Sequence, residues 1–120
     1  MKAHNPQFYL LTTHENDWHW GTSVDVISTR GLGRVELSFE NDNPGVAYLS
    51  GLIVLEPCRG KGLATTMLDH CEGICRKRGV FRIDLDSVNV PFVVKMYERR
   101  GFKTIKQEEH TTRMYKMLEL

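Results

Sequence analysis

Apolar positions in this chain change period along its length, and the changes mark out its elements. From Arg34 to Glu40 every second residue is apolar: Val35, Leu37 and Phe39 share one face, and Arg34, Glu36, Ser38 and Glu40 share the other. That is the pattern of an antiparallel strand with one face buried. Phe81 to Asp86 alternates in the same way, with Phe81, Ile83 and Leu85 set against Arg82, Asp84 and Asp86. The run that starts at Ala47 and ends at Pro57 is almost wholly apolar, as suits a strand at a sheet centre, and Gly51 inside it predicts a bulge or a close backbone approach. Two shorter β-favouring runs precede these, Phe8 to Thr12 and Ser23 to Thr29, and two follow, about Phe102 to Gln107 and Thr112 to Leu118.

Elsewhere the period becomes helical. Leu63, Ala64, Met67, Leu68, Cys71 and Cys75 form one stripe of a helix that stops at Gly79 after Arg76-Lys77-Arg78. Phe92, Val93, Met96 and Tyr97 form the stripe of a second helix, opened by Pro91 and closed by Gly101. The expected order is therefore β-β-β-β-α-β-α-β-β, a single α/β (α+β) domain over residues 1–120.

Composition changes this picture only by exclusion. With 41% hydrophobic and 26% charged residues in 120, one compact soluble domain is expected. A net charge of +1 argues against a nucleic-acid partner. MKAHNPQFYLL is too short an apolar run for a secretory signal, and nothing approaches a membrane span, so no membrane partner and a cytoplasmic location are expected. The odd set Cys58, Cys71 and Cys75 predicts no disulfide framework, and without a C-x-x-C pair it predicts no metal site. The histidines are scattered and suggest no role.

Candidate chemistry concentrates between Ala47 and Thr65, where a buried strand runs into a glycine-rich turn that opens a helix. Gly60 and Gly62 let the backbone turn, and no Ser, Thr, Asp or Asn stands where the helix cap should be. The unsatisfied N–H donors, flanked by Arg59 and Lys61, suit a phosphate-bearing ligand. A Walker loop fails on spacing, because no glycine stands five before Gly60 and no Ser or Thr follows Lys61. A dinucleotide fingerprint fails at Thr65.

The pattern R-x-x-G-x-A, carried by Arg59, Gly62 and Ala64, resembles the acetyl-CoA pyrophosphate loop of the GNAT superfamily of N-acetyltransferases. Downstream, NVPFVVKMYERRGF resembles that family's N…Y-x-x-x-G-F segment, with Tyr97 four before Gly101 and Asn89 eight before Tyr97, one more than the commonest spacing. The resemblance implies the GNAT fold: a mixed, mostly antiparallel sheet of about seven strands, a splayed central strand pair and two main helices. It implies acetyl-CoA as co-substrate, bound through the backbone of Leu52, Ile53 and Val54, through Arg59, Gly60, Lys61, Gly62, Leu63, Ala64 and Thr65, and through Asn89.

The acceptor implied is a primary amine on a small molecule or peptide, attacked directly in a ternary complex. Tyr97 matches the family's general acid, and Asp84 falls where several members carry a basic carboxylate, with Glu36, Glu40 and Tyr48 as other candidates. The family's two acceptor-wall helices have only His14 to Gly21 as counterpart, so an open pocket, or one closed by a second subunit, is expected. Trp18 and Trp20 in that segment would either edge the acceptor site or lie buried against the sheet. Edge strands and the segment Thr112 to Leu118 could join a homodimer. The alternative function is a catalytically silent acyl-CoA-binding regulatory module.

Overall fold

The computed structural model of the protein describes residues 10–55, 59–60 and 62–119. Its elements are β1 (Leu11–Trp18), β2 (Gly21–Ser28), β3 (Gly33–Glu40), β4 (Val46–Val54), α1 (Leu63–Lys77), β5 (Arg82–Val88), α2 (Pro91–Arg99), β6 (Lys103–Gln107) and β7 (Thr111–Met117). The strands make one seven-stranded sheet in the order β1-β2-β3-β4-β5-β7-β6, as the resemblance implied. Among the described strands only β4 and β5 pair in parallel, because α1 carries the chain across between them.

Alternation decides what the sheet buries. Val35, Leu37, Ala47, Leu49, Ile83, Leu85 and Met114 point to one face, where they meet Leu63, Met67, Leu68, Cys71 and Cys75 of α1 and Tyr97 of α2. Both helices lie on that face, since Arg100 just beyond α2 pairs with Asp69 and Glu72 of α1. Each fully buried aliphatic side chain of this core contributes roughly 1.5–3 kcal/mol. The opposite face carries Glu36, Ser38, Glu40, Tyr48, Arg82, Asp84, Asp86 and Arg113, and among the described residues no helix packs on it.

Two features of this sheet position the site. First, β4 bulges: Arg34 pairs with Ile53 but Glu36 with Ser50, so Gly51 and Leu52 stand opposite Val35 alone. Gly51 takes a φ of +64°, which favours glycine. Second, β4 and β5 pair only from Val46 opposite Arg82 to Leu49 opposite Leu85. Beyond that point β4 stays with β3 and β5 with β7, and the two parallel strands part.

The N-terminal hairpin corrects an expectation. The expected first strand ended at Thr12, but the first five residues of His14 to Gly21 also belong to β1, which pairs with β2 from Leu11 opposite Ser28 to Trp18 opposite Gly21. β1 is an edge strand whose residues after Leu11 are all exposed, so backbone pairing and not side-chain burial specifies it. A hydropathy pattern has nothing to report there. The strand begins at Leu11, and Phe8 and Tyr9 of the expected run lie outside the described residues. At the C-terminal end, β7 is paired on both sides, with β5 and β6.

Candidate active site

The helix that should hold an anion begins without a cap. Gly62 is its N-cap at φ +82°, no side chain bonds back to the first turn, and that turn holds no acid. The first ladder bond outside it runs from Thr66 N–H to Gly62 O at 3.0 Å, leaving the N–H groups of Leu63, Ala64 and Thr65 ahead of the ladder. These donors and the helix dipole face the end of β4. The Leu63 side chain is buried in the core, so only its main chain is available to a ligand. Arg59 is anchored by its Nε, which donates to the Val54 carbonyl at 2.9 Å, and Gly60 turns at φ +74°. Lys61, Pro57 and Cys58 lie outside the described residues.

Above this terminus opens the gap between β4 and β5. Leu52 and Val54 pack partly on the core while Ile53 is exposed, so the main chain of all three runs along the parted edge. The slot and the uncapped helix thus share the C-terminal end of the parallel pair, the usual ligand end of such strands.

Asn89 does something other than line that slot. Its Nδ2 donates to the carbonyls of Glu108 and Glu109, and its Oδ1 accepts from the Thr112 hydroxyl. The side chain ties the end of β5 to the β6–β7 turn, with both amide hydrogens already engaged.

Tyr97 is enclosed between α2 and the core, edge-on to Phe102 with ring centroids 5.5 Å apart. Burial, with a smaller contribution from the nearby Cys71, pushes its phenol up to about 12. Burial likewise raises the Cys71 and Cys75 thiols to about 12, and both sit in the core as the helical stripe predicts. Among the described residues no group of His, Cys, Asp and Glu is arranged to hold a metal ion.

Asp84 sits on the open face in a chain of charges. Arg82 Nε donates to its Oδ1 at 2.5 Å, and Arg113 Nη2 lies 3.6 Å from its Oδ2. Arg113 also grips Asp86 at 2.8 Å, and the Tyr48 hydroxyl donates to the same Asp86 oxygen at 2.6 Å. Burial and that bond to Asp86 raise the Tyr48 pKa. Tyr48 is consequently a committed donor and not a free base.

Glu36 differs from Asp84. It stands opposite Ser50, the first β4 residue past the β4–β5 pairing, and among the described residues it belongs to no ion pair. The sequence offers it only as one of several carboxylates; register singles it out.

Tyr48, Asp84 and Arg113 border a groove of about 550 Å³ on the open face, lined also by Trp20, Ser38, Glu40, Asn43 and Val46. Trp18 and Trp20 are both substantially exposed and stacked, with centroids 6.5 Å apart; Trp20 lines the groove, and neither is buried against the sheet.

Among the described strands, the one parallel pair parts beside an uncapped helix N-terminus, which is the arrangement the resemblance implies. The chain belongs to the GNAT acetyltransferase family: residues 4–102 match the family model described as "Acetyltransferase (GNAT) family". An acetyltransferase from Agrobacterium fabrum is 39% identical over 61 residues, covering 51% of this chain and 44% of that protein, so the match spans under half of the relative's length. Among solved structures, a candidate acyl-CoA N-acyltransferase from Klebsiella pneumoniae superposes with a TM-score of 0.77 at 15% identity, over 96% of this chain and 100% of the other. A candidate acetyltransferase from Agrobacterium tumefaciens gives 0.58 at 27% identity over 92% and 74%.

Proposed function

We propose that this protein moves an acetyl group from acetyl-CoA to a primary amine by direct attack in a ternary complex. The observation that carries the reading is the slot between β4 and β5 beyond Leu49 and Leu85, ending at the uncapped N-terminus of α1. The pyrophosphate takes the N–H groups of Leu63 to Thr65 with Arg59, Gly60, Gly62 and Lys61 around them, and the pantetheine arm takes the exposed main chain of Leu52 to Val54. Asn89 contributes by fixing the far wall.

In the reaction the amine nitrogen bonds to the thioester carbon, the C–S bond breaks, and one amine proton must leave while the thiolate gains one. An amine of pKa about 10.4 needs a base near the slot. Asp84 has both oxygens engaged by arginines, so Glu36 is the stronger candidate for that role, with Asp84 holding the charged network in place. Tyr97, neutral at pH 7, serves the departing sulfur. Proton transfer from a phenol near 12 to a thiolate of pKa about 8.5 is uphill, so its contribution is a hydrogen bond that stabilises the thiolate.

Calorimetric titration with acetyl-CoA and CoA, beside thiol release across a panel of amines, tests the reading. Micromolar binding together with one amine that accelerates thiol release is expected. Binding without acceleration by any amine would favour a silent acyl-CoA-binding module, and absence of binding would remove the anion site.

A further inference from the structure

We infer that the acceptor is an elongated aliphatic dication, such as a diamine or polyamine, whose second cationic group sits between the Trp20 indole and the Glu40 carboxylate while its first amine reacts. This rests on the acetyltransferase reading above and names the substrate class of the same groove.

Three observations converge on it. The first is length. Glu36, Ser38 and Glu40 line the open face of β3 at alternate positions, and Glu36 is level with Ser50, where the slot begins. Four residues of strand separate Glu40, in the lining of the groove beside Trp20, from Glu36 by about 13 Å. A ligand reaching from the slot to Glu40 must be extended.

The second is charge. Arg82 and Arg113 are each held on a carboxylate, Asp84 and Asp86 respectively. Glu40 lines the groove exposed and, among the described residues, in no ion pair. An anionic acceptor would meet an uncompensated carboxylate there, and a cationic one would neutralise it.

The third is preorganisation. Glu40 pairs with Gly21, directly after Trp20. The turn is fastened to the end of β3 by Asn41 N–H donating to the Trp20 carbonyl at 2.9 Å and Asn41 Nδ2 to the His19 carbonyl at 3.1 Å. Trp18 stacks on Trp20 and is itself fixed by its Nε1, which donates to the Ser23 hydroxyl at 2.9 Å. An indole held beside a carboxylate is a ready cation site.

Trp18 and Trp20 are the two tryptophans of the chain, so in a Trp18→Phe variant fluorescence reports Trp20 alone. Short and long 1,ω-diaminoalkanes and monoamines of matched length are titrated against it, and the same amines are run as acceptors in thiol release. Long diamines are expected to quench Trp20 at concentrations on the order of tenfold lower than monoamines, with KM lower by a similar factor. Glu40→Gln is expected to bring the diamine-to-monoamine ratio of kcat/KM close to one through KM. Because a ratio is read, a loss of folded protein cancels. Equal quenching and equal KM for monoamines and diamines would overturn the inference and leave the acetyltransferase reading standing. Diamine-selective quenching without acetylation of any amine would do the reverse.

Discussion

Arg100 Nη2 lies 2.9 Å from Glu72 Oε2, and the contact joins α2 to α1 through a carboxylate almost enclosed by the core. Lys116 of β7 reaches the same carboxylate at 3.0 Å, and Arg76 approaches it at 3.5 Å. Burial alone would lower the Arg100 pKa, but Glu72 and Asp69 outweigh it and raise it. Removing one member of such a cluster leaves the others charged and unpaired, which costs more than the cluster contributes as a whole. Glu72→Gln is expected to lower unfolding stability by about 2–3 kcal/mol in urea titration. Arg100 keeps the exposed Asp69 at 2.7 Å, so Arg100→Met combined with Glu72→Gln should cost less than the two single changes summed.

Tyr97→Phe removes one hydroxyl from a packed aromatic pair and leaves the Phe102 contact in place. Acetyl-CoA affinity should be unchanged, and kcat should fall by roughly ten- to a hundredfold, the scale of one lost transition-state hydrogen bond. Unchanged turnover would take Tyr97 out of the mechanism.

Glu36 and Asp84 are separated by paired substitutions read as a split between kcat and KM. Glu36→Gln is expected to lower kcat by about a hundredfold with KM little changed. Asp84→Asn releases Arg82 while Arg113 stays on Asp86, so its expected effect is a raised KM for the cationic acceptor with kcat retained. A hundredfold loss of kcat in Asp84→Asn, and none in Glu36→Gln, would return the base to Asp84.

Cys71 and Cys75 make stability fall at alkaline pH. Their folded pKa values, raised to about 12, exceed those of exposed thiols near 8.5, so the folded state holds these protons more tightly than the unfolded one. Their contribution is fully present below about pH 8.5 and is lost as pH rises towards 12. Each thiol should steepen the decline by up to about 1.4 kcal/mol per pH unit. Denaturation midpoints between pH 8 and 11 check this, and a Cys71→Ala/Cys75→Ala protein should show a shallower slope. An equal slope would mean that burial of the two thiols is not the cause.

Where side chains face two environments, the element is written in the chain. The alternation of Val35, Leu37 and Phe39 with Glu36, Ser38 and Glu40, and the stripe from Leu63 to Cys75, fix the core because water rejects one set and solvates the other. The uncapped turn at Gly62 and the bulge at Gly51 were equally legible, since each rests on local backbone chemistry. Edge strand β1 was not, because neither of its faces is buried and only its pairing with β2 defines it.

The site divides along the same line. Local sequence determined that an uncapped helix terminus follows a bulged, buried strand. Tertiary structure alone decided which carboxylate stands beside the slot, that Asp84 is enclosed by two arginines, and that Asn89 is spent on the β6–β7 turn. Those facts are matters of strand register and sheet order, which bring together residues far apart in the chain. No local pattern encodes them, because the free energy that selects them comes from contacts that exist only once the sheet has formed.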